Sequence, residues 1–66
     1  MQVFVNGEPR ELDTDVSVAA LLKQFELAPQ RVAVEVNEQL VRRATFADTR
    51  LQSGDRVEIV TLVGGG

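Results

Sequence analysis

Apolar residues recur along this chain in two rhythms, and the switch between them marks out the elements. From Met1 to Asn6 the period is two: Val3 and Val5 share one face, and Gln2, Phe4 and Asn6 the other. That is the pattern of a half-buried strand. Asn6-Gly7 follows, the strongest short hairpin signal, because both residue types tolerate positive φ. Pro9 either ends the turn or opens a return strand through Arg10, Glu11 and Leu12, and its missing N–H assigns such a strand to a sheet edge. After the polar break Asp13-Thr14-Asp15 the rhythm changes. Val18, Leu21, Leu22 and Phe25 recur at i, i+3, i+4 and i+7, one stripe of a helix from Val18 to about Leu27, with Lys23, Gln24 and Glu26 off the stripe. Ser17 is placed to cap its first turn, and Ala28-Pro29 to stop it, since a residue before proline is pushed out of the α region.

The two-residue rhythm then returns. Val32, Val34 and Val36 point one way, and Arg31, Ala33, Glu35 and Asn37 the other, which predicts a strand with one wet face. Asn37-Glu38 makes a turn into a short strand, Gln39-Leu40-Val41. Arg42 to Leu51 is mixed and polar, with apolar anchors at Phe46 and Leu51; it reads as a looping segment with one helical turn near Thr45–Asp48. Ser53-Gly54-Asp55 is a turn signature, and a last strand runs from Arg56 to Val63. In that strand Val57 and Ile59 share a face with Thr61, whereas Val60 and Leu62 fall with Glu58 on the other. If Val57 and Ile59 face the helix, Val60 and Leu62 lie on the wet side, as a docking patch; Phe4 joins them if the first and last strands are neighbours. The bland alternative is that single apolar residues on a surface are common and carry no role.

Two strands, a helix, two more strands and a final strand make an α+β domain, a mixed four- to five-stranded sheet packed on one helix. Sixty-six residues suffice for one such domain, residues 1–66. The chain holds no cysteine and no histidine, which removes thiol nucleophiles, Ser-His and Cys-His catalysis, and most transition-metal sites. It is therefore expected to be no enzyme by itself. A net charge of −3 and only three aromatic residues, all phenylalanine, argue against a nucleic-acid partner. No apolar run approaches a membrane span and no signal peptide opens the chain, so a cytoplasmic protein without a membrane partner is expected. Glu8, Glu11, Asp13 and Asp15 lack the spacing of a calcium loop and read as solvated surface. Arg42-Arg43 reads as a solvated pair or as a contact for an acidic partner.

The end of the sequence, Val63-Gly64-Gly65-Gly66, needs a separate account. Glycine costs the most entropy to order and gives a core nothing to pack, so three in succession do not end a strand in the ordinary way. A segment without Cβ atoms slides through passages too narrow for other residues, and three extended residues reach about 10 Å. One reading makes 63–66 a flexible tail whose tip, the α-carboxyl of Gly66, is the reactive group delivered into a partner's active site. The other makes it a frayed terminus.

The element order with a glycine tail after the last strand resembles the β-grasp, ubiquitin-like fold, and Met1-Gln2-Val3-Phe4-Val5 is similar to the start of ubiquitin. Leu51 with the run from Gly54-Asp55-Arg56 through Val57-Glu58-Ile59-Val60-Thr61-Leu62-Val63 to the three glycines resembles the ending of the thiamine-biosynthesis sulfur carrier proteins, the ThiS family. Val3, Asn6-Gly7, Leu21-Leu22, Val34-Glu35-Val36-Asn37, Val41 and Arg43 are compatible with it. The resemblance implies that a ubiquitin-activating-like adenylyltransferase uses ATP and Mg²⁺ to adenylate Gly66. Sulfur from cysteine, through a cysteine desulfurase, then makes a thiocarboxylate, and thiazole synthase takes that sulfur into the thiazole ring of thiamine. Gly64 and Gly65 would supply clearance and reach, with Phe4, Val60, Leu62 and Arg43 as partner contacts. The motif needs two glycines and this chain has three; were the third an appended residue, the reactive carboxyl would be that of Gly65. The chain is expected to bind no cofactor and to be a monomer that forms complexes. Two relatives of this chemistry stand as alternatives: the small subunit of molybdopterin synthase, and a ubiquitin-like modifier ending in an isopeptide bond. A plain interaction domain with a flexible end is the third.

Overall fold

The computed structural model describes residues 1–62. Its elements run β1 (Gln2–Val5), β2 (Glu8–Glu11), α1 (Val18–Gln24), β3 (Val32–Val36), β4 (Gln39–Val41) and β5 (Arg56–Thr61), with single 3₁₀ turns at Pro29–Arg31 and Arg43–Thr45. The strands form one sheet in the order β2-β1-β5-β3-β4. Two local hairpins, β1–β2 and β3–β4, are joined through β5, which runs parallel to β1 and antiparallel to β3. The expected mixed sheet on one helix is thus the observed architecture.

Both hairpins close through two-residue turns in which both residues have positive φ: Asn6 and Gly7 (51° and 83°), and Asn37 and Glu38 (52° and 69°). This is the type I′ geometry, whose twist matches that of the strands it joins. Pro9 lies inside β2 rather than ending the turn, and β2 is an edge strand, where a missing N–H costs no ladder bond. The helix begins as its sequence demands. Ser17 Oγ accepts from Ala20 N–H at 3.0 Å. The two preceding amides donate to the β4–β5 loop: Val18 to Thr49 O at 2.9 Å, Ala19 to Phe46 O at 3.0 Å. The N–H groups that a helix start leaves unpaired are therefore shared between one local side chain and two carbonyls of a distant loop, which ties the start of the helix to the β4–β5 connection.

The helix ends earlier than the expected Leu27. Glu26 adopts φ 59°, Glu26 N–H donates to Lys23 O at 3.0 Å, and Leu27 N–H donates to Leu22 O at 2.9 Å. That pair of bonds is a Schellman motif, so the stop comes from a left-handed glutamate and not from Pro29. Phe25 becomes the capping residue and is only partly buried, its ring 5.3 Å from the Arg10 guanidinium. The expected helical turn near Thr45–Asp48 starts at Arg43 instead and continues through Asp48 N–H to Thr45 O at 3.0 Å.

One core fills the space between the helix and the inner face of the sheet. Val18, Leu21 and Leu22 of α1 meet Val3 and Val5 of β1, Val32 and Val34 of β3, and Val57 and Ile59 of β5. Leu12, Val16, Phe46 and Leu51 close its margins from the loops. Leu21 and Leu22 are fully buried, and each such side chain contributes about 1.5–3 kcal/mol of transfer free energy. A chain this short buries only about 60% of the surface it exposes when unfolded, so each of these positions matters. Among the described residues no buried side-chain polar atom lacks a hydrogen-bond partner, and no helix is long and apolar enough to cross a membrane.

Glu38, exposed and left-handed, carries strain that glycine lacks. Glu38→Gly is expected to stabilise the fold by about 0.5–1 kcal/mol, after the greater freedom of glycine in the unfolded chain is subtracted. Thermal denaturation should show a melting temperature higher by about 4 °C.

Candidate functional site

The sheet order places β5, and so the root of the glycine tail, in the middle of the sheet rather than at its edge. Alternation along β5 then divides the labour: Val57 and Ile59 are buried under α1, and Glu58 and Val60 are exposed on the outer face. Val60 is 58% exposed, Leu62 46% and Leu40 68%, and these are the exposed large apolar residues among those described. Val60 pairs with Ala33, and Leu40 pairs with Glu35, which in turn pairs with Glu58. Leu40, Ala33, Val60 and Leu62 therefore lie on one face, around two carboxylates.

Glu35 and Glu58 sit directly opposite each other on neighbouring strands, both exposed. Like charges so placed repel, and among the described residues neither forms an ion pair. The outer face is thus an apolar surface with negative charge at its centre, suited to a partner that presents a cation between apolar groups.

Phe4 lies on that same outer face, since β1 and β5 are neighbours, but the register pairs it with Arg56 and Pro9. At about 3.3 Å per residue it is roughly 20 Å along the strand direction from Leu62. The structure therefore brings together Val60 and Leu62 but holds Phe4 at the far end. Arg43 is exposed, and its guanidinium donates to the carbonyls of Pro29 (3.3 Å from Nε) and Gln30 (3.4 Å from Nη2). The next carbonyl, Arg31 O, accepts from Leu62 N–H at 2.7 Å. Arg43 thus braces the turn from which the last described residue hangs. Gly64, Gly65 and Gly66, together with Val63, lie outside the described residues.

Two participants escape a reading of the sequence. Leu40 sits in a three-residue strand whose face is undefined until its partner is known. Asn6, a turn signal by type, also uses its side chain: Ile59 N–H donates to Asn6 Oδ1 at 2.8 Å, and Asn6 Nδ2 donates to Ile59 O at 3.2 Å. The side-chain amide imitates a strand residue and extends the β1–β5 ladder by one step. Nothing in the sequence alone distinguishes this asparagine from an ordinary turn residue.

The acidic run near the amino end is dispersed. Glu8 pairs with Arg10, Glu11 with the amino terminus and Asp15 with Arg50, at 3.3, 2.9 and 3.6 Å. Among the described residues no group of His, Cys, Asp or Glu is arranged to hold a metal ion.

The family model described as the ThiS family matches residues 3–66. The chain belongs to the ThiS family. It is 36% identical over 64 residues to the sulfur carrier protein ThiS of Thermus thermophilus, covering 97% of this chain and 98% of that one. It is also 38% identical over 66 residues to a thiazole synthase of Magnetococcus marinus, covering all of this chain and 20% of the synthase. The chain thus spans about a fifth of the length of the thiazole synthases it matches. The crystal structure of the thiamine biosynthesis protein ThiS from Geobacter metallireducens superposes with a TM-score of 0.85 at 35% identity, each chain fully covered. The ThiS β-grasp is accordingly the fold of this chain, with the apolar, acidic-centred face on the side of the sheet away from the helix.

The opposed carboxylates give a direct check on that face. Glu58→Lys should stabilise the fold by up to about 1 kcal/mol, by removing the repulsion and forming a cross-strand ion pair with Glu35. Urea titrations at low and high salt should show that gain shrinking as salt screens it.

Proposed function

We propose that this chain is a sulfur carrier of thiamine biosynthesis, and that the carboxyl of Gly66 is the group it carries chemistry on. The observation that carries this reading is the match to the ThiS family through the glycine run to residue 66. The central position of β5 supports it, because a segment leaving mid-sheet has the outer face beside it as a dock. An α-carboxyl has a pKa of about 3.3–3.7, so at neutral pH it is a carboxylate and a poor electrophile. It needs activation. A ubiquitin-activating-like adenylyltransferase would supply it with ATP and Mg²⁺: a carboxylate oxygen attacks the α-phosphate, pyrophosphate leaves, and an acyl-adenylate forms. The persulfide that a desulfurase draws from cysteine displaces AMP to give an acyl disulfide, and a thiol then cleaves its S–S bond, releasing the thiocarboxylate and becoming oxidised to a disulfide. When the thiazole synthase has taken the sulfur, the carboxylate is restored.

On this reading the chain is a co-substrate, and the catalytic groups belong to its partners; it offers neither cysteine nor histidine. Gly64 and Gly65 give the passage into an active site that a side chain would block. Val60, Leu62 and the Arg43 brace contribute to docking, with Phe4 touching only a partner broad enough to cover both ends of the face. The relatives named thiazole synthase favour the thiamine pathway over molybdopterin, since in them a segment like this chain belongs to the same polypeptide as the enzyme. The cytoplasm, where ATP and the synthase are found together, is the proposed location.

Intact mass spectrometry tests the reading. Incubation with the activating enzyme and ATP should give the AMP adduct, and a sulfur source should then convert the terminal OH to SH. Removing Gly65 and Gly66 should abolish both products while leaving the melting temperature unchanged. Active partners that yield no adduct and no exchange would discard the carrier role, and lysine conjugates in its place would point to a protein modifier.

A further inference from the structure

Backbone groups along β5 alternate between two sides. Arg56, Glu58, Val60 and Leu62 direct theirs toward β3, as shown at either end by Asn37 N–H to Arg56 O and Leu62 N–H to Arg31 O, both 2.7 Å. Asp55, Val57, Ile59 and Thr61 direct theirs toward the lane of β1. In that lane Asp55 O accepts from Phe4 N–H at 2.9 Å and Val57 O from Asn6 N–H at 2.8 Å. The amide side chain of Asn6 satisfies both backbone groups of Ile59. There β1 stops, because Asn6 and Gly7 turn the chain away with φ of 51° and 83°. Thr61 is the next residue in the series. It is exposed, and among the described residues nothing accepts its N–H or donates to its carbonyl.

Open strand edges in folded proteins are ordinarily blunted by proline, charge or very short length. The outer edge strand β2 obeys this rule with Glu8, Pro9, Arg10 and Glu11, and the other edge strand, β4, has only three residues. The gap beside Thr61 is short but carries neither proline nor charge. Its flanking side chains are Val60 and Leu62, both exposed and apolar.

We propose that this gap is a strand-addition site, and that its occupant is an extended segment of the thiazole synthase that receives the tail. The proposal rests on the sulfur-carrier reading and adds to it how the tail is gripped. Main-chain bonds to Thr61 would continue the lane that β1 vacates, while Val60 and Leu62 lie against alternate side chains of the added strand. Position favours this occupant over others. Gly66 lies only five positions beyond Thr61, at most about 18 Å of extended chain, so an enzyme that closes on the tip has backbone within reach of the gap. A strand paired there sets the depth to which the tail enters, because a slip of one residue moves the tip by about 3.3 Å.

Amide hydrogen exchange at Thr61, in the full chain alone and with purified thiazole synthase, tests the proposal. The Thr61 amide should exchange freely in the carrier alone and at least about tenfold more slowly in the complex, as for a newly bonded strand amide. Thr61→Pro removes that N–H without touching the β3 ladder and should weaken the Kd by about tenfold or more, whereas Thr61→Val keeps the N–H and should bind within about twofold of the parent. If the synthase binds while the Thr61 amide stays unprotected, the strand-addition site is overturned and the carrier reading stands. If the unaltered chain does not bind the synthase at all, both fall. Protection that rises with carrier concentration alone assigns the gap to a second copy and overturns the proposal; the exchange measurement on the unaltered chain decides even if Thr61→Pro fails to fold.

Discussion

The structure depends on β5 sitting between two hairpins that have no other connection within the sheet. β1–β2 and β3–β4 are each local, closed by a two-residue turn, and neither alone offers more than a marginal ribbon. The insertion of β5, parallel to one and antiparallel to the other, makes them a single sheet and places Val57 and Ile59 at the centre of the core. The same insertion decides where the chain leaves the fold. A strand that must be central to hold the sheet together cannot also carry its continuation off at an edge.

This arrangement separates the energetic work of the two faces. The inner face carries the transfer free energy, through valines on three strands and leucines on one helix. The outer face is left to tolerate features that cost stability: exposed Leu40, Val60 and Leu62, and two opposed glutamates. A small domain has little to spare, since the net stability of any domain is a small difference between large terms. Features that cost stability and form one contiguous face accord with the docking role proposed for it.

Asn6 serves β5 twice. Its backbone turns β1 away, and its side chain completes the ladder that the turn has interrupted, so that β5 is held on both sides as far as Ile59. Beyond that point β5 is held by β3 alone, through Leu62 and Arg31, with Arg43 bracing the turn on which that bond depends. Support on two sides gives way to support on one where the tail begins. Among the described residues β5 is thus paired on both sides as far as Ile59 and on one side beyond it.

Much of this was legible in the residues. The strand and helix rhythms, the two positive-φ turns, the Ser17 cap and the side of β5 on which Val60 and Leu62 fall are consequences of local geometry, and local geometry is written in sequence spacing. The ending of the chain, with its glycine run, likewise resembled that of a sulfur carrier without any fold. Other features depended on the tertiary structure. The partial exposure of Phe25 and the distance between Phe4 and Leu62 follow from packing and register between segments far apart in the chain, whereas the helix stop at a left-handed Glu26 and the face taken by Leu40 are set within a few residues, by the Schellman bonds and the β3–β4 register, and carry no mark in the residue types. The bridging role of Asn6 is the plainest case: fifty-three positions separate it from Ile59, and only the parallel pairing of β1 with β5 brings the two within hydrogen-bonding distance. Spacing along a chain reports which way a side chain points; it does not report what comes to stand opposite.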